Sequence, residues 1–128
     1  SLVTTGISLF LAPIVRKWID DKYLYIGMKL GTAFCYFAMF YGCTSLTTAP
    51  ELPATTLASD CYGSIFEGCT KLNYIKCLAT NKSASNCTYN WVYKVPSIGT
   101  FIKHPDMNNW STGDNGIPSG WAVVDAEV

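Results

Sequence analysis

The stretch Met-Phe-Tyr-Gly-Cys-Thr-Ser-Leu at residues 39–46 returns as Ile-Phe-Glu-Gly-Cys-Thr-Lys-Leu at residues 65–72. The cysteines Cys35, Cys61 and Cys87 follow the same spacing. This constant period of roughly 26 residues lies in the range of about 20 to 50 that is typical of solenoids, propellers and arrays. The sequence therefore predicts a chain that stacks one repeated structural unit.

Shorter copies of this unit precede the opening stretch, and a degenerate copy follows it. Steps of a slightly shorter period lead back from Leu46 to Leu24 and Leu2, whereas one step of the full period leads forward from Leu72 to Ile98. We expect these residues to occupy equivalent corners, each at the start of a strand. The predicted repeats are thus roughly 22–26 residues long, which is within the range of solenoid repeats.

A strand is predicted after each corner residue. Residues 24–30 alternate apolar and other side chains with period two, as a half-buried strand does. Residues 72–78 instead fit the pattern L-x-x-L-x-L of leucine-rich repeats. The two patterns place different residues on the buried side of the strand, so the sequence does not decide which side chains face the core. Pro50 and Pro53 are expected to shorten the strand of the middle repeat, because proline cannot donate to a ladder.

A short helix is predicted before each corner. Residues 32–41 carry apolar side chains at spacings of three and four and are followed by Gly42, a common helix stop. Residues 59–66 begin with a Ser/Asp cap and lead to Gly68. The predicted fold class is an α/β solenoid with one strand and one short helix per repeat.

The composition changes in the last part of the chain. Residues 99–128 are rich in Pro, Gly, Ser and Asn around two strand-like pieces at 99–103 and 121–124. A solenoid end exposes an unpaired edge that natural arrays cover with an atypical segment. We therefore predict a solenoid of about four repeats over residues 1–98 and a β-rich C-terminal cap over residues 99–128.

Charge and hydropathy exclude several classes of partner. Charged residues make up 14% of the 128 residues, and the formal net charge is zero, so nucleic acids and anionic membranes are not expected partners. The apolar run at residues 6–15 is interrupted by Pro13 and is too short to span a bilayer. We expect it to be repeat core.

The six cysteines are expected to be buried thiols. In stacked repeats Cys35, Cys61 and Cys87 form one column, and Cys43 and Cys69 form another. A disulfide between stacked neighbours stays open as an alternative. Metal binding is disfavoured because the chain has no C-x-x-C pair and one histidine.

Three stretches resemble a known family. Residues 39–58, residues 77–88, and residues 99–105 together with 116–125 resemble the C-terminal end of BspA-like leucine-rich-repeat surface proteins of Bacteroides-type bacteria. The resemblance covers residues 30–128, whereas residues 1–29 depart from it. It implies a right-handed solenoid with strands on one face, export to the bacterial cell surface or secretion, and adhesion to host or microbial surface proteins. Because Ser1 falls within a repeat, we expect the signal peptide to lie outside this sequence.

A partner-binding face is predicted on the strand side, where repeat proteins commonly bind. The residues expected to point outward there are Tyr25, Lys29, Thr47, Glu51, Asn73 and Lys76. The competing interpretation is that they are solvated strand residues. The expected function is a non-enzymatic adhesion or protein-interaction module.

Two other functions compete with adhesion. Tyr41, Trp91 and Trp110 are expected to be exposed rings that stack on sugars, which would make the chain a carbohydrate-binding module. His104 with Asp106 and Asp114 is the one cluster that hints at acid–base or metal chemistry, but no third ligand or nucleophile stands at a defined spacing. We therefore expect no catalytic residue, no metal and no cofactor.

Overall fold

A computed structural model describes residues 36–128 of the chain. Three strands are present in this part: β1 at Tyr74–Cys77, β2 at Thr100–Lys103 and β3 at Ala122–Asp125. They form one sheet in the order β1-β2-β3, and both pairings are parallel. Successive parallel strands require the chain to return to the same end each time. We call each such circuit a coil.

The period of the sequence is the length of one coil. Tyr74 lies opposite Thr100 in the sheet, one period later, and an isolated parallel bridge joins Thr48 to Tyr74 at the same spacing. The last coil is shorter, because Thr100 lies opposite Ala122. Further parallel bridges join Leu52 to Cys77 and Thr56 to Asn81.

The predicted α/β solenoid with one helix per repeat is wrong. No helix occurs in residues 36–128, and the segments predicted as helices consist of consecutive turns where they are described. Ala38, Asp60 and Ser64 have φ angles of 55°, 58° and 52°, a left-handed conformation that cannot continue a right-handed helix. The leucine-rich-repeat fold that the family resemblance implies is therefore wrong as well.

A backbone ladder between coils replaces the helices. The N–H groups of Tyr62, Ser64 and Phe66 donate to the carbonyl oxygens of Cys87, Tyr89 and Trp91, at 3.0, 2.9 and 2.9 Å. The intervening N–H groups close local turns, as when Ile65 donates to the Tyr62 oxygen at 3.1 Å. Along the segment, N–H groups thus donate alternately to a carbonyl oxygen of the same turn and to one of the next coil. We call residues 60–68 and their counterparts 86–94 the turn ladder.

The strand predictions are partly correct. The strand expected within residues 72–78 is β1, and Leu72, Ile75 and Cys77 are fully buried, so the L-x-x-L-x-L pattern gives the inward set. Around Pro50 and Pro53 the chain makes only isolated bridges. The strand predicted at residues 24–30 lies outside the described residues.

Aromatic rings stack from coil to coil in the core. Phe40 lies over Phe66 with ring centroids 5.9 Å apart, and Tyr62 lies over Trp91 at 6.4 Å. Trp91 in turn stacks on Trp110 at 5.4 Å. Burial of such rings supplies a large share of the hydrophobic stabilisation. Of these pairs, Phe40 and Phe66 are equivalent positions one period apart, whereas Tyr62, Trp91 and Trp110 come from different positions of the repeat.

The C-terminal part continues the stack in two ways. On the sheet side, β2 and β3 add two strands to β1. On the turn side, residues 114–116 accept hydrogen bonds from residues 86–94, the last segment of the turn ladder. Asn90 N–H donates to Asn115 Oδ1 at 2.7 Å, and the Trp91 indole N–H donates to the Gly116 oxygen at 2.7 Å. The domain boundary near residue 98 stays a prediction.

Candidate functional site

Four of the six predicted face residues lie in the described part, and they form two neighbouring pairs. Lys76 Nζ lies 3.4 Å from Glu51 Oε1, with both side chains partly exposed. The Asn73 N–H donates to the Thr47 oxygen at 2.8 Å, and both of these residues are exposed. The other two, Tyr25 and Lys29, lie outside the described residues.

The strand bearing Lys76 has one face in the core and one toward solvent. In β1, Ile75 and Cys77 are buried, whereas Tyr74 and Lys76 are partly exposed. This alternation follows from the two-residue period of a strand. The structure therefore places Lys76 on the solvent side of β1, and its ion pair with Glu51 crosses from one coil to the next.

An open groove lies at the amino-terminal ends of β1 and β2. It encloses about 630 Å³. Its lining combines hydroxyl groups, one amide and one large apolar side chain; the residues are Thr48, Asn73, Tyr74, Ile98, Gly99 and Thr100. These groups can donate and accept hydrogen bonds beside an apolar side chain, the chemistry of a recognition surface.

Ile98 is the most unusual residue of the groove. Its repeat equivalents Leu46 and Leu72 are partly and fully buried, and the period predicts the same corner for Ile98, yet its side chain is 81% exposed. The Trp121 ring lies against Gly99, where an added Cβ would come within 2.5 Å of it, and the Trp121 indole donates to the Pro96 oxygen at 2.7 Å. Trp121 thus fills the space beside the corner, and Ile98 faces solvent.

The sequence-based prediction misses most of the groove. Only Asn73 belongs to both the predicted face and the lining. A signal is nevertheless present in the sequence, because Thr48, Tyr74 and Thr100 recur at the period of the repeat and stack as one column. The exposure of Ile98 has no such signal, because the period predicts the same corner as for Leu46 and Leu72, which are partly and fully buried.

The aromatic residues proposed for sugar stacking are distributed differently from the prediction. Trp91 is fully buried, so its assignment as an exposed ring is wrong. Trp110 is partly buried against Trp91. Tyr41 is about half exposed, and Tyr89 and Tyr93 are also exposed on the turn ladder.

The described cysteines are core residues. Cys43, Cys61, Cys69, Cys77 and Cys87 are buried, and none is joined by a disulfide to another described cysteine. Burial raises the pKa of Cys61 and Cys77 to about 12, with a smaller contribution from neighbouring cysteines. Thiols with such pKa values are protonated at neutral pH and therefore poor nucleophiles. Cys35 lies outside the described residues.

The His104 cluster forms a local turn. His104 Nδ1 accepts a hydrogen bond from the Asp106 N–H at 3.0 Å, and the Asp106 carboxylate lies 3.8 Å from the same nitrogen. Within residues 36–128, no group of three or more His, Cys, Asp or Glu side chains is arranged to hold a metal ion. The same part of the chain contains no helix of the length and apolarity needed to cross a bilayer.

Comparisons with protein-family models, with curated proteins and with solved structures find no match to this chain.

Proposed function

We propose that this chain is a non-enzymatic binding module, displayed on a bacterial cell surface or secreted, that attaches to a host or microbial surface protein. The binding site comprises the groove and the adjacent strand-side residues Thr47, Glu51, Asn73 and Lys76. Export and adhesion rest on the resemblance of residues 30–128 to BspA-like surface proteins. No cofactor, nucleic acid or membrane span belongs to this proposal.

The observation that carries the proposal is the exposure of Ile98 beside polar groups. An isoleucine that is 81% exposed at the edge of an open groove gains by burial against a partner, at about 25 cal/mol for each Å² of apolar surface covered. The surrounding Thr48, Asn73 and Thr100 side chains offer hydrogen bonds that orient the partner. An apolar anchor within a polar rim is the usual anatomy of a protein-binding patch.

The test is binding to a panel of purified extracellular-matrix and bacterial surface proteins, measured by surface plasmon resonance. Ile98→Asp is expected to weaken any saturable interaction at least tenfold, because it removes the apolar anchor and adds an unpaired charge. The matched control is Val128→Asp, which alters a side chain that is 75% exposed outside the groove. Equal binding by both variants and the parent would contradict the proposal.

A carbohydrate-binding module is the second candidate, favoured by the exposed rings of Tyr41, Tyr89 and Tyr93. Aromatic rings offer a face on which sugars stack. On a glycan array this function predicts saturable sugar binding that Tyr89→Ala abolishes and Ile98→Asp leaves unchanged. The two variants therefore distinguish the two functions.

A further inference from the structure

The outer edge of the sheet is formed by β3, whose four residues are all exposed. Within the described residues β3 pairs with β2 alone. The N–H groups of Ala122 and Ala126 donate toward β2, to the oxygens of Gly99 and Lys103 at 2.9 and 2.7 Å. Because backbone groups alternate sides along a strand, Val123 and Asp125 present their N–H and C=O groups to the outer edge.

The two sides of the last coil differ in how they end. On the turn side, Asn115 Oδ1 and the Asp114 oxygen accept hydrogen bonds from the Asn90 and Val92 N–H groups, which a further coil would otherwise accept. On the sheet side, no such segment covers β3 in the part of the chain that the structure describes. An uncovered edge strand is a template for pairing with another extended chain.

The column of core residues that ends at β3 indicates that a strand added at this edge would carry an apolar residue. Ile75 and Phe101 are fully buried and face Val123 in register, whereas Val123 is 47% exposed. Val123 is thus the last member of a core column with its outer side in water. An apolar side chain in the same register on a further strand would bury it.

The column that contains Lys103 and Asp125 indicates that the added strand would carry a basic residue two positions later. Lys103 Nζ lies 2.6 Å from Asp125 Oδ1, and the side chains are 17% and 56% exposed. The lysine is therefore mostly covered, whereas more than half of the aspartate side chain is exposed. Glu127 is exposed two residues further along. A cation opposite Asp125 on an added strand would share this exposed carboxylate with Lys103, and Glu127 adds a second exposed negative charge two residues along the chain.

We propose that the outer edge of β3 binds an extended peptide segment of another protein as an additional parallel strand. This segment carries an apolar residue opposite Val123 and, two residues later, a Lys or Arg opposite Asp125. The precedent is β2 itself, where Phe101 and Lys103 occupy these registers on the inner side. Addition of a strand to an exposed edge is an established mode of peptide recognition. The edge shares no residue with the groove, so it stands apart from the proposed function.

The probe is a fluorescein-labelled peptide Gly-Thr-Phe-Ile-Lys-His, a copy of residues 99–104. Its binding to the full chain is measured by fluorescence anisotropy. We expect saturable binding that weakens at least tenfold when the peptide lysine is replaced by glutamate. Added salt should reduce this difference, because the exposed charge pair is screened. Equal binding of the two peptides would contradict the predicted charge register.

Two variants of the chain locate the binding. Val123→Pro removes an outward N–H group at an edge position, where proline is tolerated, and should weaken binding at least tenfold. Val123→Thr is the matched control, because it keeps the N–H and β-branching, and it should bind within about threefold of the parent. Thermal unfolding of both variants verifies the fold. Unchanged binding by a folded Val123→Pro chain would overturn the proposal.

Asp125→Asn tests the edge without altering the backbone. It should remove the preference for the lysine peptide over the glutamate peptide, even if Val123→Pro does not fold. The competing occupant of this edge is a second copy of the chain, and sedimentation velocity of the chain alone tests for it. Self-association that Val123→Pro abolishes would show that a second copy, rather than a foreign peptide, covers β3, and would overturn the proposal.

Discussion

Single residues in the left-handed conformation give the turn ladder its shape. Gly42 and Gly68 have φ angles of 68° and 77°, and Lys94 takes the same place one coil later with φ 64°. Glycine adopts this region without cost, whereas a residue with a Cβ loses about 1–2 kcal/mol there. At this position of the repeat, Lys94 is therefore strained whereas Gly42 and Gly68 are not.

Lys94→Gly should stabilise the chain by about 0.5–1 kcal/mol, because relief of the left-handed strain exceeds the loss of backbone entropy. A weak contact between Lys94 Nζ and the Tyr93 ring, 5.4 Å from the centroid, is lost at the same time. Urea unfolding measures the difference. The control Lys71→Gly, at an exposed turn residue without a positive φ, should destabilise. A loss of stability in both variants would show that Lys94 carries no strain.

Buried thiols make the stability of the chain depend on alkaline pH. Burial raises the pKa of Cys61 and Cys77 from 9.0 to about 12. In the unfolded chain these thiols ionise at lower pH, so alkaline solution favours the unfolded state. Their contribution is fully present below pH 9 and is lost as pH rises toward about 12.

The free energy of unfolding should therefore fall between pH 8.5 and 10, measured by urea titration in the presence of a reductant. The double variant Cys61→Ala/Cys77→Ala should show a flatter decline over this range, although it is less stable at neutral pH because of the small cavities. The range stays at or below pH 10, the ordinary pKa of tyrosine, because burial also raises the pKa of Tyr62. Parallel pH profiles for the two chains would contradict the assignment.

At the scale of elements, the loop at residues 114–116 ends the turn ladder. Its Asn115 side chain accepts a hydrogen bond from the Asn90 N–H at 2.7 Å, and its Asn115 backbone oxygen accepts one from Thr88 Oγ1 at 2.8 Å. Thr88 is buried, so the hydroxyl would otherwise be left unsatisfied. The loop thus supplies hydrogen-bond acceptors on the turn side, as a further coil would.

Asn115→Ala should destabilise the chain by about 1 kcal/mol, the usual net value of one hydrogen bond. Asn115→Asp keeps a side-chain oxygen at the same position and should retain most of the stability. Chemical unfolding of both variants measures the difference. If alanine and aspartate have the same effect, the side-chain acceptor does not support the ladder.

The sequence predicts the strands of this fold better than its turns. The L-x-x-L-x-L pattern identifies the buried side of β1, because strand periodicity is read directly from alternating burial. The same reasoning predicts helix for the turn ladder, because turns repeating every four residues also space apolar side chains three and four apart. The residue types at the left-handed positions carry the missing signal: Asp60, Ser64 and Gly68 recur at four-residue steps. Such residues favour left-handed turns.

At the scale of the whole molecule, one coil length sets both the core and the surface. Phe40 and Phe66 stack one period apart, and Thr48 pairs with Tyr74 at the same spacing. One column of equivalent positions is thus buried in the core, and another lines the groove. The spacing makes these columns predictable. The exposure of Ile98 is not predictable from the spacing, because its equivalents Leu46 and Leu72 are partly and fully buried.

The central claim is that the segments before each corner form a ladder between coils and are not helices. Scalar couplings across hydrogen bonds, measured by long-range HNCO spectroscopy on isotope-labelled protein, test it directly. The structure predicts a cross-peak between the Phe66 amide nitrogen and the Trp91 carbonyl carbon, which lie on either side of a 2.9 Å hydrogen bond. A cross-peak from the Phe66 nitrogen to the Tyr62 carbonyl, the partner in an α-helix, would contradict it.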